Sequence, residues 1–242
     1  NVLGTFSNEN NNVWDVNYDN ATKYYPRNST VEYDFYAYSP KSTVATNETN
    51  IKVTYDFTGE EDIIWGRTEQ VNGGWNAKFA KDTTIVRNIS LNHKLAWFTF
   101  NIIPGTDYNE NECEVKVLKM NHSTACTLTI ADTDPTQAGV LTFDKNNTQE
   151  LDLIDTNSAY NKTSGGIIGD IFVEPGLNNY ALIIELSDGT TSTINLKYST
   201  GTTSIEAGKK YNVNITIDGP TEIKVTATLT EWTDGGALEG GI

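Results

Sequence analysis

The sequence is poor in the residues and patterns that build helices and membrane spans. Methionine occurs once in 242 residues, and no segment shows a convincing period of 3.6 residues. No apolar run approaches the roughly 18 residues that a membrane-spanning helix needs. The chain is instead rich in Asn, Thr, Gly and Tyr, a mixture that is typical of strands and turns.

Positive charge is also scarce. The chain carries 17 Lys and Arg residues against 32 Asp and Glu residues, for a formal net charge of −15. A surface this acidic repels the phosphates of nucleic acids and anionic lipid headgroups. Nucleic acid is therefore not expected as a partner, and solubility is the ordinary consequence of the charge.

Cysteine and histidine each occur only twice, as Cys113, Cys126, His93 and His122. If residues 121–123 form a turn between paired strands, the two cysteines are out of register for a disulfide, which requires Cα atoms within about 7 Å. The same interpretation places His122 in solvent. We expect His93, which leads into an apolar strand, to be a packed histidine.

The sequence contains no motif for nucleophilic catalysis and no glycine-rich loop that cradles phosphate. Residues 60–62 are acidic but adjacent, so they indicate a solvated loop and not a pair of carboxylates across a cleft. Asp132 and Asp134 could contribute to a calcium site, but the other ligands of a known calcium loop are missing, and turn formation is the simpler explanation. No enzymatic activity, cofactor or metal is expected.

Alternation of apolar and polar residues is the strongest structural signal. Residues 211–217 and 223–229 both alternate and flank a turn at 218–220, which predicts a half-buried antiparallel hairpin. Apolar residues on both faces around Leu95 to Phe98 indicate a central, covered strand. Residues 144–166, rich in Asn, Asp, Thr and Gly, predict a long loop. Further strands are predicted at 31–38, 51–57, 115–118, 127–130, 140–143, 171–173, 180–186 and 193–198.

About a dozen short strands without crossover helices are typical of an all-β protein built from β-sandwiches. Pro104-Gly105, followed by the polar residues 106–112, is the best linker candidate. We therefore predict two domains, residues 1–105 and residues 106–242. Trp65, Trp97 and Trp232 are expected to pack in the sandwich cores or between the domains.

Several segments in order resemble the fimbrillin family, the pilins of type V pili on gram-negative anaerobes. The resemblance covers most of residues 24–232. The matching segments are Tyr24-Tyr25-Pro26, residues 34–38, residues 62–66, Leu91-Asn92-His93-Lys94-Leu95-Ala96 with the strand after it, and Ala207-Gly208-Lys209-Lys210-Tyr211 with the closing Trp232.

The resemblance implies two tandem transthyretin-like (Greek-key) β-sandwich domains. It also implies a lipoprotein precursor with a signal sequence, anchored in the outer membrane and then incorporated into a cell-surface fimbria. Proteolysis near the amino terminus would remove a first strand, and a strand of another pilin subunit would fill the groove. Residues 1–30 would hold that strand. Arg27, the first arginine, is a candidate processing site, with an exposed loop arginine as the alternative.

Both ends of the sequence bear on the expected role. The polar start at Asn1 is typical of a mature or trimmed form. Residues 233–242 include four glycines and alternate poorly, which favours a tip or accessory subunit over a stem subunit. The alternative function is capture of host or bacterial surface glycans or proteins, with glycans bound by exposed aromatic side chains. Trp75, beside Gly73-Gly74, is the candidate stacking residue.

Overall fold

The computed structural model describes residues 5–10, 13–17, 34–68, 89–155, 158–177, 179–196 and 204–231. Within them the protein is nearly all β, as predicted, with one short helix, α1 (Glu110–Cys113). In this described part no helix is long and apolar enough to cross a membrane. The strands are β1 (Thr5–Asn10), β2 (Val13–Asn17), β3 (Tyr36–Ser39), β4 (Thr43–Thr46), β5 (Asn50–Asp56), β6 (Ile64–Arg67), β7 (Asn92–His93), β8 (Ala96–Pro104), β9 (Val115–Ser123), β10 (Ala125–Asp132), β11 (Leu141–Phe143), β12 (Thr148–Asp152), β13 (Gly166–Val173), β14 (Tyr180–Leu186), β15 (Thr191–Leu196), β16 (Lys209–Gly219) and β17 (Glu222–Glu231).

The chain forms two compact units, and the first takes its described residues from Asn1–Ser39 and Ile64–Asn92. Here β1 pairs antiparallel with β2, and β3 pairs antiparallel with β6. The end of β6 is fixed by Thr68, whose backbone N–H donates to the Phe35 carbonyl at 2.9 Å. A side chain at Gly66 would lie 2.1 Å from the Ser90 carbonyl oxygen, so only glycine fits this position of β6.

The second unit, Pro40–Ile63 and His93–Trp232, contains a β-sandwich. One sheet has the order β13-β8-β16-β17, and the other has the order β12-β9-β14-β15. Along β16 the buried residues Tyr211, Val213, Ile215 and Ile217 alternate with half-buried polar ones, as the sequence predicted. They share one hydrophobic core with buried residues of β8, β9, β13 and β14.

The rings at the centre of this sandwich pack edge to face. Phe98 of β8 is 2 % exposed. Its ring centroid lies 5.1 Å from that of Tyr180 and 5.6 Å from that of Tyr211. Such pairs contribute about 0.5–1.5 kcal/mol beyond the area they bury. The predicted central position of this strand is confirmed, because β8 lies between β13 and β16.

A further sheet of the second unit has the order β11-β10-β5-β4. Its buried apolar residues include Val53, Tyr55 and Phe57 of the predicted 51–57 strand and Leu128 of β10. Only Thr124 separates β9 from β10, yet β9 pairs with β12 and β14 while β10 pairs with β5 and β11. The chain therefore passes from one sheet to another at Thr124.

This corner at Thr124 overturns two expectations. Residues 121–123 are not a turn but the end of β9. His122 is buried, with 6 % of its surface exposed, because the strand carries it into the protein. Cys113 and Cys126 are free, as expected, and both are buried. The reason differs from the expected one, because Cys113 ends the helix α1 and does not lie in a strand that faces Cys126 of β10.

One other expectation also needs correction. The predicted loop at 144–166 contains β12, which pairs with β9 from Thr148 to Asp152. The residues of β12 are mostly exposed and polar, so their pattern in the sequence does not indicate a strand. In addition, β8 and β16 run parallel. Partners more than a hundred residues apart leave no local pattern that could reveal their direction.

The predicted linker begins where β8 ends, at Pro104. Its Gly105 N–H donates to the Ile217 carbonyl of β16 at 2.9 Å, and Thr106 N–H donates to Asp218 Oδ1 at 3.0 Å. This point of the chain is therefore held against β16. The division into domains 1–105 and 106–242, and their transthyretin-like topology, stay predictions.

Candidate functional site

The two residues singled out for function, Arg27 and Trp75, lie outside the described residues, as does Trp232. The processing and stacking hypotheses attached to Arg27 and Trp75 therefore stay predictions. The surfaces that the structure does describe are the edges of its sheets, an aromatic group on one sheet face, and an acidic groove beside β13.

The edge strand β4 is exposed along its whole length. All four of its residues are exposed, including Val44 at 37 %. It pairs with β5 and is the end strand of its sheet in the part of the chain that the structure describes. The edge strand β15 alternates exposed and half-buried residues and pairs with β14. Edges of this kind can take an additional strand.

The outer edge of β13 is, by contrast, occupied by the chain itself. The Phe172 N–H donates to the Gly59 carbonyl at 2.7 Å, and the Ile168 carbonyl accepts from the Asp155 N–H at 2.9 Å. A side chain at Gly59 would lie 2.5 Å from an Ile171 carbon atom, so the glycine permits this close approach. The β13 edge is thereby largely closed to a partner strand.

An acidic groove of about 460 Å³ runs beside the β13 edge. Four carboxylates line it, together with the Phe172 ring; they belong to Glu60, Asp152, Asp155 and Asp170. A lining of this charge favours cations and hydrogen-bond donors and disfavours phosphate.

The aromatic surface, defined here as Trp97, Phe172, Lys210 and Asp170, lies on the sheet face opposite the sandwich core. Trp97 Nε1 donates to Asp170 Oδ2 at 2.8 Å. Lys210 Nζ lies 3.6 Å from the centroid of the Trp97 ring, and the Phe172 centroid lies 5.8 Å from it. The ammonium group is attracted by the electron-rich face of the indole.

Trp97 does not lie in the sandwich core, which was one of the two positions expected for it, and packing between the domains stays a prediction. Phe98 and Phe100 point into that core, so Trp97, one position away along β8, points to the other face. The sequence of β8 has apolar residues on both faces of the strand, so it does not indicate which face lies in the core. Trp65 is half-buried in β6, 6.3 Å from the Tyr36 ring.

The histidine and aspartate candidates have local structural partners. His93 is half-buried, and its Nδ1 lies 2.8 Å from Asp62 Oδ1. Asp132 Oδ1 accepts from the Asp134 N–H at 2.9 Å, and Asp134 Oδ1 accepts from the Thr136 hydroxyl at 2.7 Å. Hydrogen bonds from the Thr136 hydroxyl and N–H lower the pKa of Asp134. The carboxylates thus stabilise a turn, as the simpler interpretation predicted.

Groups that could perform chemistry are not assembled in the described ranges. No cluster of three or more His, Cys, Asp or Glu side chains there is placed to hold a metal ion. Burial raises the pKa of the Cys126 thiol to about 12, with smaller contributions from Glu61 and Glu174. A thiol with so high a pKa is a poor nucleophile at neutral pH.

Comparison with known proteins agrees with this architecture. The family model described as fimbrillin-like matches residues 1–232. A candidate cell adhesion protein from Bacteroides uniformis is similar in structure, with a TM-score of 0.62, 20 % identity, and coverage of 91 % of this chain and 80 % of that one. Another, from Bacteroides ovatus, has a TM-score of 0.53, 13 % identity, and coverage of 92 % and 76 %.

At these identities the two solved structures indicate a shared fold alone. A search of curated proteins finds no match. The match to the family model covers well over half of the sequence, and it agrees with the resemblance carried by the segments between residues 24 and 232. The chain belongs to the fimbrillin-like family.

Proposed function

We propose that this chain is a pilin-like subunit of a cell-surface fimbria that joins other subunits by β-strand addition. The observation that carries the proposal is the fimbrillin-like match over residues 1–232, together with the nearly all-β fold. The chain's role is structural and adhesive, and not enzymatic.

The physical basis of assembly is an open sheet edge. A partner strand satisfies the outward backbone groups of that edge, and its alternate side chains enter the pockets between the sheets. The strands β1 and β2 pair with each other, and both precede Arg27. Cleavage after Arg27 would therefore sever this hairpin from the rest of the chain as one piece, leaving the amino-terminal unit to accept a strand.

Treatment with a trypsin-like protease tests this step. The full chain should be cut after Arg27, and the product should then form multimers that size-exclusion chromatography with light scattering detects. An Arg27→Gln variant, which removes only the cleavage site, should stay intact at that position and remain monomeric. Cleavage confined to other sites, with no multimer, would count against processing at Arg27 and against assembly by strand addition together.

The route to the surface follows from the same proposal. A lipoprotein precursor would be exported and anchored in the outer membrane through a lipidated cysteine before it enters the fimbria, as a stem, tip or accessory subunit. Metabolic labelling of the precursor with a radioactive fatty acid should mark it. An unlabelled precursor that still reaches the surface would remove the lipid anchor from the account.

A second candidate function, glycan capture, is favoured by the aromatic surface around Trp97. Half-buried rings beside a carboxylate and an ammonium group can stack on a sugar and hydrogen-bond its hydroxyls. Binding on a glycan array should be lost in Trp97→Ala or Trp75→Ala variants whose circular dichroism is unchanged. A blank array across plant and host sugars would leave only the fimbrial role. Neighbouring genes also discriminate, since pilin genes favour the first function and a glycan transporter favours the second.

A further inference from the structure

The corner at Thr124 contains a histidine that is sealed from solvent. His122 is 6 % exposed, and its ring packs against Phe57 and Phe143 at centroid distances of 4.7 and 6.0 Å. Phe57 and Phe143 also contact each other edge to face, at 5.5 Å. The three rings close the place where the chain leaves β9 and enters β10.

Within the described part of the chain, one nitrogen of the His122 ring has a hydrogen-bond partner and the other has none. Nδ1 lies 2.7 Å from the Ser123 carbonyl oxygen, to which it must donate, so the neutral ring carries its proton there. Nε2 is buried and has no hydrogen-bond partner among the residues that the structure describes. A second proton at Nε2 would create a buried N–H without an acceptor on a charged ring, and each of these is costly.

The titratable groups around the ring come from four segments. Glu61 follows β5, Glu174 follows β13, and Lys145 follows β11. Lys145 forms an ion pair with Glu174. Glu61 accepts hydrogen bonds from the Thr58 N–H and hydroxyl, both at 2.8 Å. β10 contributes the buried Cys126 thiol. The Asp144 carboxylate, next to β11, accepts from the Asn146 N–H at 3.0 Å.

These surroundings act on His122 in opposite directions. Desolvation is the largest influence and lowers its pKa from 6.5, while the Ser123 carbonyl, Glu174 and Glu61 raise it and Lys145 lowers it. Burial prevails. The folded corner therefore holds His122 neutral at pH values where the same ring in solvent takes up a proton, and the stability of the corner falls as the pH drops below 6.5.

We propose that His122 is an acid-sensitive latch at the corner between β9 and β10, holding it closed at neutral pH and releasing it in mild acid. Opening exposes the Phe57, Phe143 and His122 rings and loosens the connection between the two sheets. The sandwich core around β8, β14 and β16 stays folded, because its buried residues are apolar side chains, Tyr and Cys113, with no histidine among them. On the surface of a cell, such a latch couples exposure of this corner to local acidity.

The two free cysteines provide matched reporters. Cys126 lies opposite Phe143 in the β10–β11 register, so it adjoins the latch, and it is 2 % exposed. Cys113 is 0 % exposed in the sandwich core. Opening of the corner should expose Cys126 alone, whereas global unfolding exposes both thiols.

The experiment measures thiol protection in Cys113→Ala and Cys126→Ala variants of the full chain at pH 7.5 and pH 5.0. Each rate is divided by the rate for the same variant in denaturant, which cancels the ionisation of the thiol itself. Protection of Cys126 should fall by up to about 30-fold at pH 5.0, the limit for a group that has a pKa of 6.5 in the open state and stays neutral in the closed state. Protection of Cys113 should not change.

A His122→Asn variant serves as the control, because the amide can still donate to the Ser123 carbonyl but does not titrate. It should abolish the loss of Cys126 protection at pH 5.0. An equal loss at both cysteines, no loss at either, or a loss that persists in His122→Asn would overturn the proposal. If that variant does not fold, an NMR titration of a His93→Gln variant decides. The chain has two histidines, so His122 is the only imidazole that titrates in that variant. A pKa at or above 6.5 for that ring would mean that the carboxylates outweigh burial and that there is no latch.

Discussion

Truncation of Phe98 tests the packing of the sandwich most sharply. Phe98 is 2 % exposed at the centre of β8, and its ring meets the rings of Tyr180, Tyr211 and Phe100 edge to face. Its neighbours along the core face, Ala96 and Phe100, are fully buried, so the chain has little freedom to close the space. We expect Phe98→Ala to cost about 3–5 kcal/mol of unfolding free energy, the usual range for removal of a buried ring.

Urea denaturation followed by far-UV circular dichroism measures this loss. With a slope of about 1–3 kcal/mol per molar urea, the midpoint should fall by at least about 1 M. Ile167→Ala is the matched control, because Ile167 lies on the adjacent strand β13 but is 49 % exposed. Its effect should stay within about 0.5 kcal/mol. A Phe98→Ala loss no greater than that of the control would refute the assignment of β8 to a closed core between two sheets.

Three further substitutions or reactions test individual contacts. Gly105→Ala should destabilise the chain by about 1–3 kcal/mol in the same assay, because the added methyl group would lie 1.9 Å from Asp218 Oδ1 of β16. Gly219→Ala is the control and should be nearly neutral, since a methyl group there would have no atom within 4 Å. Equal effects would contradict the close approach at Gly105. Cys126, whose pKa burial raises to about 12, should react with iodoacetamide at pH 8 far more slowly in the folded chain than in urea, and comparable rates would show that the thiol is accessible. Lys210→Met should remove about 0.5–1 kcal/mol and alter the fluorescence of Trp97; an unchanged emission spectrum would argue against the ammonium–indole contact.

The sequence predicted the strands well where their pattern is local. The observed β14 coincides with the predicted 180–186 strand, and the alternation along β16 marks its buried face correctly. Such patterns depend only on a two-residue period and a covered sheet face. The segments that resemble fimbrillins led to the right family through their order along the chain, which the sequence shows directly.

What the sequence did not predict depends on partners that are distant along the chain. The corner at Thr124 could not be predicted locally, because residues 121–123 resemble a turn between paired strands, whereas β9 and β10 join different sheets. The burial of His122 is a consequence of that corner. The outward position of Trp97 depends on which face of β8 meets the second sheet. Arg27 and Trp75 stay predictions, and they rest on the sequence alone.

The most direct test of a fimbrial role is to find the chain in the fibre. Fimbriae sheared from the cells that produce this protein should contain it, joined to other subunits and with residues 1–27 removed, when the purified fibre fraction is analysed by mass spectrometry after chemical cross-linking. Cross-links should connect the residues near an open sheet edge to an extended segment of another subunit. Recovery of the protein only in a non-fibrous fraction, uncut and without cross-links to other pilins, would contradict the account.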